Sequence, residues 1–544
     1  MKLWLPLAAF VAFISAMASR HAMWRDEVRA FSVATRTESW PDLINLIHHE
    51  GHPIVWYAIL RMGYALTHSN LVLPLASLII AAIAAFIILR FAPFPFWMRL
   101  LAVFGVFLGY EFSVISRNYG IGVMLLALAC VLFPERGERP VRLALVLVLL
   151  ANTSVHAIIA TVVIGFVWLM DVVGAESRRG LLRPRSIAAA GIVFAGLAVA
   201  LWSAVPPSNL SYGVSLSDLN PGEVLRTIMT HPARGLRGVG GADITASGEL
   251  PWERIGINPA LVSIVMVNIS ILTIAWSLRR NPACLIALAL AIAAFEVLFR
   301  LIYSGSLRHE GFLAFIMISL VWIAAASAGR TAIPSARSRA IAFGLLPLLI
   351  TQAAALPVVA RRNVLHPASS SRSFAALIDS TPRFRNAILA GEPDYLMEPM
   401  PHYLPNPVFM PRQRQYAYRV NFDPERRKSD LRLGELLAIA DSVGCASGRS
   451  VLLALAWTGV LTDTAGEARG AGYGATFRWN AEERARLFRR GRSVATFDQA
   501  TGDENYTVFE IPPPLTARAP ASGAFEERQA IHSSSPALPS CPPD

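Results

Sequence analysis

Asn70-Leu71-Val72-Leu73-Pro74-Leu75-Ala76-Ser77-Leu78-Ile79-Ile80-Ala81-Ala82-Ile83-Ala84-Ala85-Phe86-Ile87-Ile88-Leu89, closed by Arg90, is the stretch that decides the fold. It carries no charge, and as a helix rising about 1.5 Å per residue it matches the roughly 30 Å of a bilayer's hydrocarbon core. No water is available there to satisfy backbone N–H and C=O groups, so such a run must close its hydrogen bonds internally as a helix. Similar runs occupy 3–19, 97–112, 119–134, 143–155, 157–173, 187–205, 259–278, 283–302, 310–328 and 340–357, which predicts a mainly α, polytopic membrane protein with about eleven transmembrane helices.

Composition agrees. Of 544 residues, 54% are hydrophobic and only 16% charged, where soluble domains carry about 25% charged residues. The net charge of +12 does not point to nucleic acid, because the arginines sit in short loops between apolar runs and not along one face or tail. With Lys2 in the cytoplasm, alternate loops carry the positive charge: Arg90 and Arg99; Arg136, Arg139 and Arg142; Arg178, Arg179, Arg183 and Arg185; Arg279 and Arg280; Arg330, Arg337 and Arg339. This is the positive-inside pattern. An odd number of crossings puts everything after residue 357 on the opposite side of the membrane from Lys2, so the N-terminus is expected in the cytoplasm and the C-terminal region outside it.

The expected organisation is a transmembrane domain over 1–357, an extracytoplasmic α/β domain over 358–511 and a disordered, Pro-rich tail over 512–544. In the α/β domain, 371–389 has helical periodicity, and Val451–Leu455 and Tyr506–Ile511 read as strands. The first 19 residues also imitate a signal peptide. The run from Pro53 to Leu66 is too short to span and holds Arg61, so it reads as a helix in the interface. Loop 206–258, with Gly235-Leu236-Arg237-Gly238-Val239-Gly240-Gly241, suits a lid. Cys130 and Cys284 lie in apolar runs; Cys445 and Cys541, in the C-terminal region, are able to pair in an oxidising compartment.

That topology collects ionisable residues at one membrane surface. Loop 20–69 holds Trp24-Arg25-Asp26-Glu27 and His48-His49-Glu50-Gly51-His52-Pro53; elsewhere on the same face lie Arg117 with Tyr119, His156, and Arg308-His309-Glu310. Ionisable residues at a bilayer boundary are costly and mark sites. A carboxylate can take a proton from an acceptor hydroxyl or amine, while arginine and histidine donors stabilise a phosphate leaving group. A lipid-linked sugar phosphate needs both. The plainer readings are that Asp26 and Glu27 cap a helix, that the histidines are solvated, and that the arginines pair with lipid headgroups. Arg117 and Arg308, however, each begin a span on the outer side, against the charge bias. Gly51 and Pro53 break the face a histidine metal site would need, and the order is not HExxH, so no metal ligand is assigned; a divalent cation requirement stays open.

An acidic pair after the first helix, His52-Pro53 opening an interfacial helix, and Ser113 to Ser116-Arg117-Asn118-Tyr119 entering a later span together resemble the GT-C glycosyltransferases, and among them bacterial relatives of the protein O-mannosyltransferases and the aminoarabinose transferase that modifies lipid A. The resemblance covers about 1–360 and is strongest over 20–135. It implies a polyprenyl-phosphate-linked sugar donor, an inverting displacement, Asp26 as general base with Glu27 beside it, and Arg117, Tyr119, Arg308 and His309 on the donor phosphate. Trp24, Glu50, His52 and His156 are the expected substrate contacts. By the same resemblance 1–357 is the catalytic domain, the reaction is expected at the periplasmic face of a bacterial inner membrane, and the acceptor is expected to be a lipid, a glycan or a protein of the envelope. The chain departs from the pattern at Ile54 and Val55, which stand where a second proline or an aromatic is common. A transporter or flippase of lipid-linked glycans is the alternative, with Glu296 and Arg300 as charges inside a span; an O-antigen-type polymerase or ligase would place its key groups in a late outer loop instead.

Overall fold

A computed structural model describes residues 3–174, 184–205, 220–222, 259–302, 305–327, 335–421, 423, 425–470 and 475–514. The glycine-rich run 235–241, nearly all of loop 206–258, Cys541 and the tail from 515 lie outside the described residues. The chain divides into two compact units: one takes 1–20, 37–208 and 213–364, the other 21–36, 209–212 and 365–544.

The first unit is helical. Its elements are α1 (Trp4–Arg20), α3 (Trp40–Glu50), α4 (Val55–Thr67), α5 (Val72–Phe91), α6 (Phe96–Val103), α7 (Tyr119–Leu132), α8 (Pro140–Ala151), α9 (Val155–Gly174), α10 (Pro184–Ala204), α11 (Pro259–Leu278), α12 (Pro282–Val297), α13 (Leu307–Ser327), α14 (Ala336–Ala342) and α15 (Leu346–Leu365); α2 (Arg25–Arg36) belongs to the second unit. Among the described residues seven helices are long and apolar enough to cross a membrane. They begin at Val72, Val155, Pro184, Leu261, Pro282, Leu307 and Ala336. The other four expected spans fall on α1, at 17 residues, on α7 and α8, and on α6 followed by a π-helical turn at Phe107–Glu111.

α5 shows why these helices belong in lipid. Its inner face buries Leu73, Ala81, Ala84 and Ile88, yet its outer face is equally apolar, with Leu75, Ile79 and Ile83 exposed at 50%, 59% and 43%. A helix hydrophobic all round is stable only where its outer face also avoids water. The interfacial run expected from Pro53 is α4. Its Arg61 is used structurally: the guanidinium donates to the Thr37 carbonyl (2.9 Å) and hydroxyl (2.7 Å) and lies 5.2 Å from the Trp40 ring, tying α4 to the start of α3. α3 itself starts with a reciprocal capping box between Ser39 and Asp42, satisfying orphan N–H groups of its first turn.

In the second unit, six strands lie in the order β3-β2-β1-β5-β9-β8: β1 (Ile388–Glu392), β2 (Val408–Met410), β3 (Gln415–Tyr416), β5 (Val451–Leu455), β8 (Arg492–Phe497) and β9 (Tyr506–Ile511). β1 runs parallel to β2 and β5, and β9 antiparallel to β5 and β8. β4 (Asp430–Arg432), β7 (Ala475–Trp479) and β6 (Gly466–Gly470) form a second small sheet. All residues of β1 and β5 are buried, as expected of central strands covered on both faces. Helix α16 (Ser371–Ser380) sends Phe374 and Ile378 into one core, and α17 (Leu433–Ser447) sends Leu436, Leu437, Ala440 and Val443 into the other.

The helix expected over 371–389 is shorter. It stops at Ser380, with Thr381 extended at φ −111° and ψ 101°, because Pro382 disfavours the α conformation in the residue before it. The apolar residues that follow form β1 instead.

Candidate functional site

In the first unit, three helices begin at one place. Tyr119 is the first residue of α7, His156 the second of α9, and Arg308 and His309 the second and third of α13. The imidazoles of His156 and His309 stack with centroids 5.1 Å apart and planes 7° from parallel. The Tyr119 ring stands edge-on to both, at 5.7 Å and 5.5 Å. Phe295, Phe299 and Phe312 pack around His156 at 5.7 Å, 5.9 Å and 6.3 Å, and Phe299 also lies 6.4 Å from His309. Arg117, Arg308 and His52 act electrostatically on His309.

Local sequence explains the convergence. Glycines let the helices approach: a methyl group at Gly122 would meet Phe312 at 2.5 Å, and one at Gly311 would meet Phe107 at 2.3 Å. Asn118 donates to the Thr153 carbonyl at 2.6 Å, joining the start of α7 to the turn before α9, and the Val55 amide donates to the Asn152 carbonyl at 3.1 Å, bringing in α4. The Ser306 amide donates to Nδ1 of His309 at 3.0 Å, so Nδ1 is an acceptor and the ring proton sits on Nε2. His309 is thereby a donor. With three helix N-termini meeting here, their dipoles positive at that end, and with Arg117 and Arg308 acting on His309, the arrangement is suited to a negatively charged group beside aromatic walls.

Glu296 and Arg300 flank this cluster on α12 and the π-helical turn Leu298–Ile302. They pair with each other at 2.9 Å, so the charges that a transporter reading would use are an ion pair one helical turn long. The neighbouring histidines divide. His48 stacks on Trp202 of α10 at 4.4 Å and 6°, and His49 bonds the Asn45 carbonyl at 2.8 Å, whereas His52 reaches His156 and His309 electrostatically. Glu50 is buried at 7% exposure. Among the described residues no group of three or more His, Cys, Asp and Glu is placed to hold a metal ion.

The acidic pair lies in the second unit, in the first turn of α2, where negative charge complements the helix dipole. Its two members have different surroundings. Glu27 has no exposed surface; its carboxylate accepts from His21 Nε2 at 2.8 Å and from the Trp24 amide at 3.3 Å. Asp26 is half-buried. The segment before α2 is pinned by its own unit: the Met23 amide donates to the Tyr403 hydroxyl (2.7 Å), the Ser371 hydroxyl to the Met23 carbonyl (2.6 Å) and Arg372 to the His21 carbonyl (2.6 Å). Burial pushes His402, next to Tyr403, down to about 4, against the opposing field of Glu27, so the ring is neutral near pH 7. Trp24 lies beside Arg25, whose guanidinium is 5.4 Å from the indole and 4.6 Å from the Tyr395 ring. Sequence reasoning did not single out Asp503, Glu504, Ser369 or Glu398 as partners of this segment; no local periodicity links residues so far apart.

No family model matches the chain, and no curated protein does. Among solved structures, one described as "Crystal Structure of ArnT from Cupriavidus metallidurans in the apo state" is 12% identical, covering 94% of this chain and 98% of that one, with a TM-score of 0.36. At that TM-score the likeness supports no residue assignment.

Proposed function

We propose that this protein is a membrane glycosyltransferase of the GT-C type, moving a sugar from a polyprenyl-phosphate donor to an envelope acceptor at the periplasmic side of a bacterial inner membrane. The observation that carries the reading is the convergence of three helix N-termini on Tyr119, His156 and His309, flanked by Arg117 and Arg308. Such a cluster suits a lipid phosphate, whose charge grows as the sugar leaves.

In this reading the acceptor oxygen attacks the anomeric carbon, the bond from that carbon to the phosphate oxygen breaks, and configuration inverts. The lipid phosphate leaves with the bonding pair, held by Arg117, Arg308, Tyr119 and the Nε2 proton of His309. Asp26 takes the acceptor's proton, and a base of this kind is typically worth about 10²–10⁴ in rate. Glu27, buried against His21, holds the turn in which Asp26 sits. His52 and His156 border the phosphate, and Trp24 and Glu50 are assigned to substrate contact.

The test is binding of a short-chain polyprenyl phosphate to the purified protein. Arg117→Ala should raise its Kd about 10–100-fold, the value of a lost charge-assisted contact, while binding of the unphosphorylated alcohol stays unchanged. Equal loss of phosphate and alcohol, or no loss of either, would remove Arg117 from the donor site.

A further inference from the structure

Helix α2 carries two arginines one turn apart, Arg25 and Arg29, and both are buried inside the second unit, at 9% and 7% exposure. Each meets carboxylates distant in sequence. The Arg25 guanidinium grips Asp503 with two bonds of 2.5 Å and 2.9 Å and also reaches Glu504 at 3.4 Å. Arg29 bonds Glu398 and, at 3.0 Å, the Val420 carbonyl. Glu398 in turn accepts the Val420 amide at 2.6 Å.

The more informative bond is to the backbone. Oε1 of Glu504 accepts the Arg25 amide at 2.9 Å, one of the four N–H groups a helix leaves without an internal partner at its start. The Trp24 amide is taken by Glu27. The second oxygen of Glu504 is held by the Ser369 hydroxyl, and Ser369 also accepts the Ser371 amide at 3.0 Å, the same Ser371 whose hydroxyl holds the Met23 carbonyl. A carboxylate 479 residues away in sequence therefore caps the helix on which the next residue is Asp26.

We propose that the turn between β8 and β9, through Asp503 and Glu504, is the positioning element for Asp26, so that the C-terminal unit sets the geometry of the reacting carboxylate. The inference rests on the reading of Asp26 as the base. Arg25, Ser369, Asp503 and Glu504 are positioning residues that do not touch substrate. A side chain bonded to a distant element at both its backbone and its guanidinium has one place to sit, and Asp26 inherits that place through the covalent chain. Preorganisation of this kind acts on the rate of the bound complex more than on donor binding.

The test uses the full-length protein in nanodiscs, with two readouts. Amide hydrogen exchange over residues 21–36 should accelerate about tenfold or more in Glu504→Ala, the factor expected when a charge-assisted bond to a helix start is lost, and less in Glu504→Gln, whose amide oxygen can still accept the Arg25 N–H. Asp503→Asn, at a residue with a half-exposed side chain, keeps the fold testable should Glu504→Ala destabilise the unit. In transfer assays kcat should fall in the same order, with KM for the donor within about twofold. Unchanged exchange in all three variants, or accelerated exchange with unchanged kcat, overturns the inference. A wild-type protein without transferase activity instead sinks the proposed reaction, while the exchange data still decide whether this turn fixes the helix.

Discussion

Gly122→Ala is the sharpest probe of the anion cluster, because it adds one methyl group directly against Phe312. The new Cβ would lie 2.5 Å from Cε2 and 2.7 Å from Cζ of Phe312 and 3.3 Å from the Thr153 hydroxyl. Ordinary carbon contacts are about 3.5–4.0 Å, so the ring must move by about 1 Å. Phe312 has no exposed surface and backs onto His156, and it lies three residues after His309, on the same face of α13. The displacement therefore reaches both stacked imidazoles. Overpacking of this kind costs about 1–3 kcal/mol; expressed in donor affinity, at about 1.4 kcal/mol per factor of ten, that is about 5–150-fold. Gly165→Ala in α9 is the control: its Cβ meets nothing within 4 Å, and removing a helical glycine should add up to about 1 kcal/mol of stability. Thermal unfolding and polyprenyl-phosphate binding of the two variants are the assays. If both bind and unfold alike, the close approach at Gly122 does not shape the cluster and the packing argument fails.

Other outcomes follow from the second unit. Arg412 is fully buried and holds Glu392 with two bonds of 2.9 Å and 2.6 Å, so Arg412→Leu should destabilise the unit by about 3–5 kcal/mol, the typical effect of stranding one partner of a buried pair. Burial already pushes the Glu392 carboxyl above its usual range; such a group favours the folded state while protonated and loses that contribution as pH rises, so the variant should be less impaired at pH 5 than at pH 8 in thermal melts. His402 has the opposite sign. Its ring sits at about 4 against a usual 6.5, so the folded state binds fewer protons between those values and stability falls as pH drops through that window, by at most about 3 kcal/mol. His402→Gln should flatten the Tm-against-pH curve there, and an unchanged slope would show that another group is responsible.

Most of the membrane-facing architecture was legible because each span solves its hydrogen bonding locally. Apolar length and arginine placement are properties of contiguous sequence, so the described helices fall where the runs do, and the starts of the runs at 119, 157 and 310 share a face by parity alone. Within the cluster, the arginines running against the charge bias were the readable signal. The stacking of His156 on His309 and the tautomer fixed by Ser306 were not, since they depend on glycine-mediated approach between helices. The π-helical turns at Phe107–Glu111 and Leu298–Ile302 leave no mark on apolar periodicity. In the polar region, β5 could be read as a short continuous apolar run and β9 from its β-branched and aromatic residues, whereas β1 was hidden behind Pro382. The membership of residues 21–36 in the second unit rests on Arg25 with Asp503 and Glu504 and on Arg29 with Glu398, pairings that only tertiary structure brings together.

The most direct measurement is sugar transfer by Asp26→Asn. Purified wild-type protein and the variant are given a polyprenyl-phosphate-linked sugar and envelope extract, and product is followed by mass spectrometry with polyprenyl-phosphate affinity measured in parallel. Donor binding should equal that of the wild type, and transfer should fall by about 10²–10⁴. Transfer by Asp26→Asn at the wild-type rate would contradict the reading of Asp26 as the base.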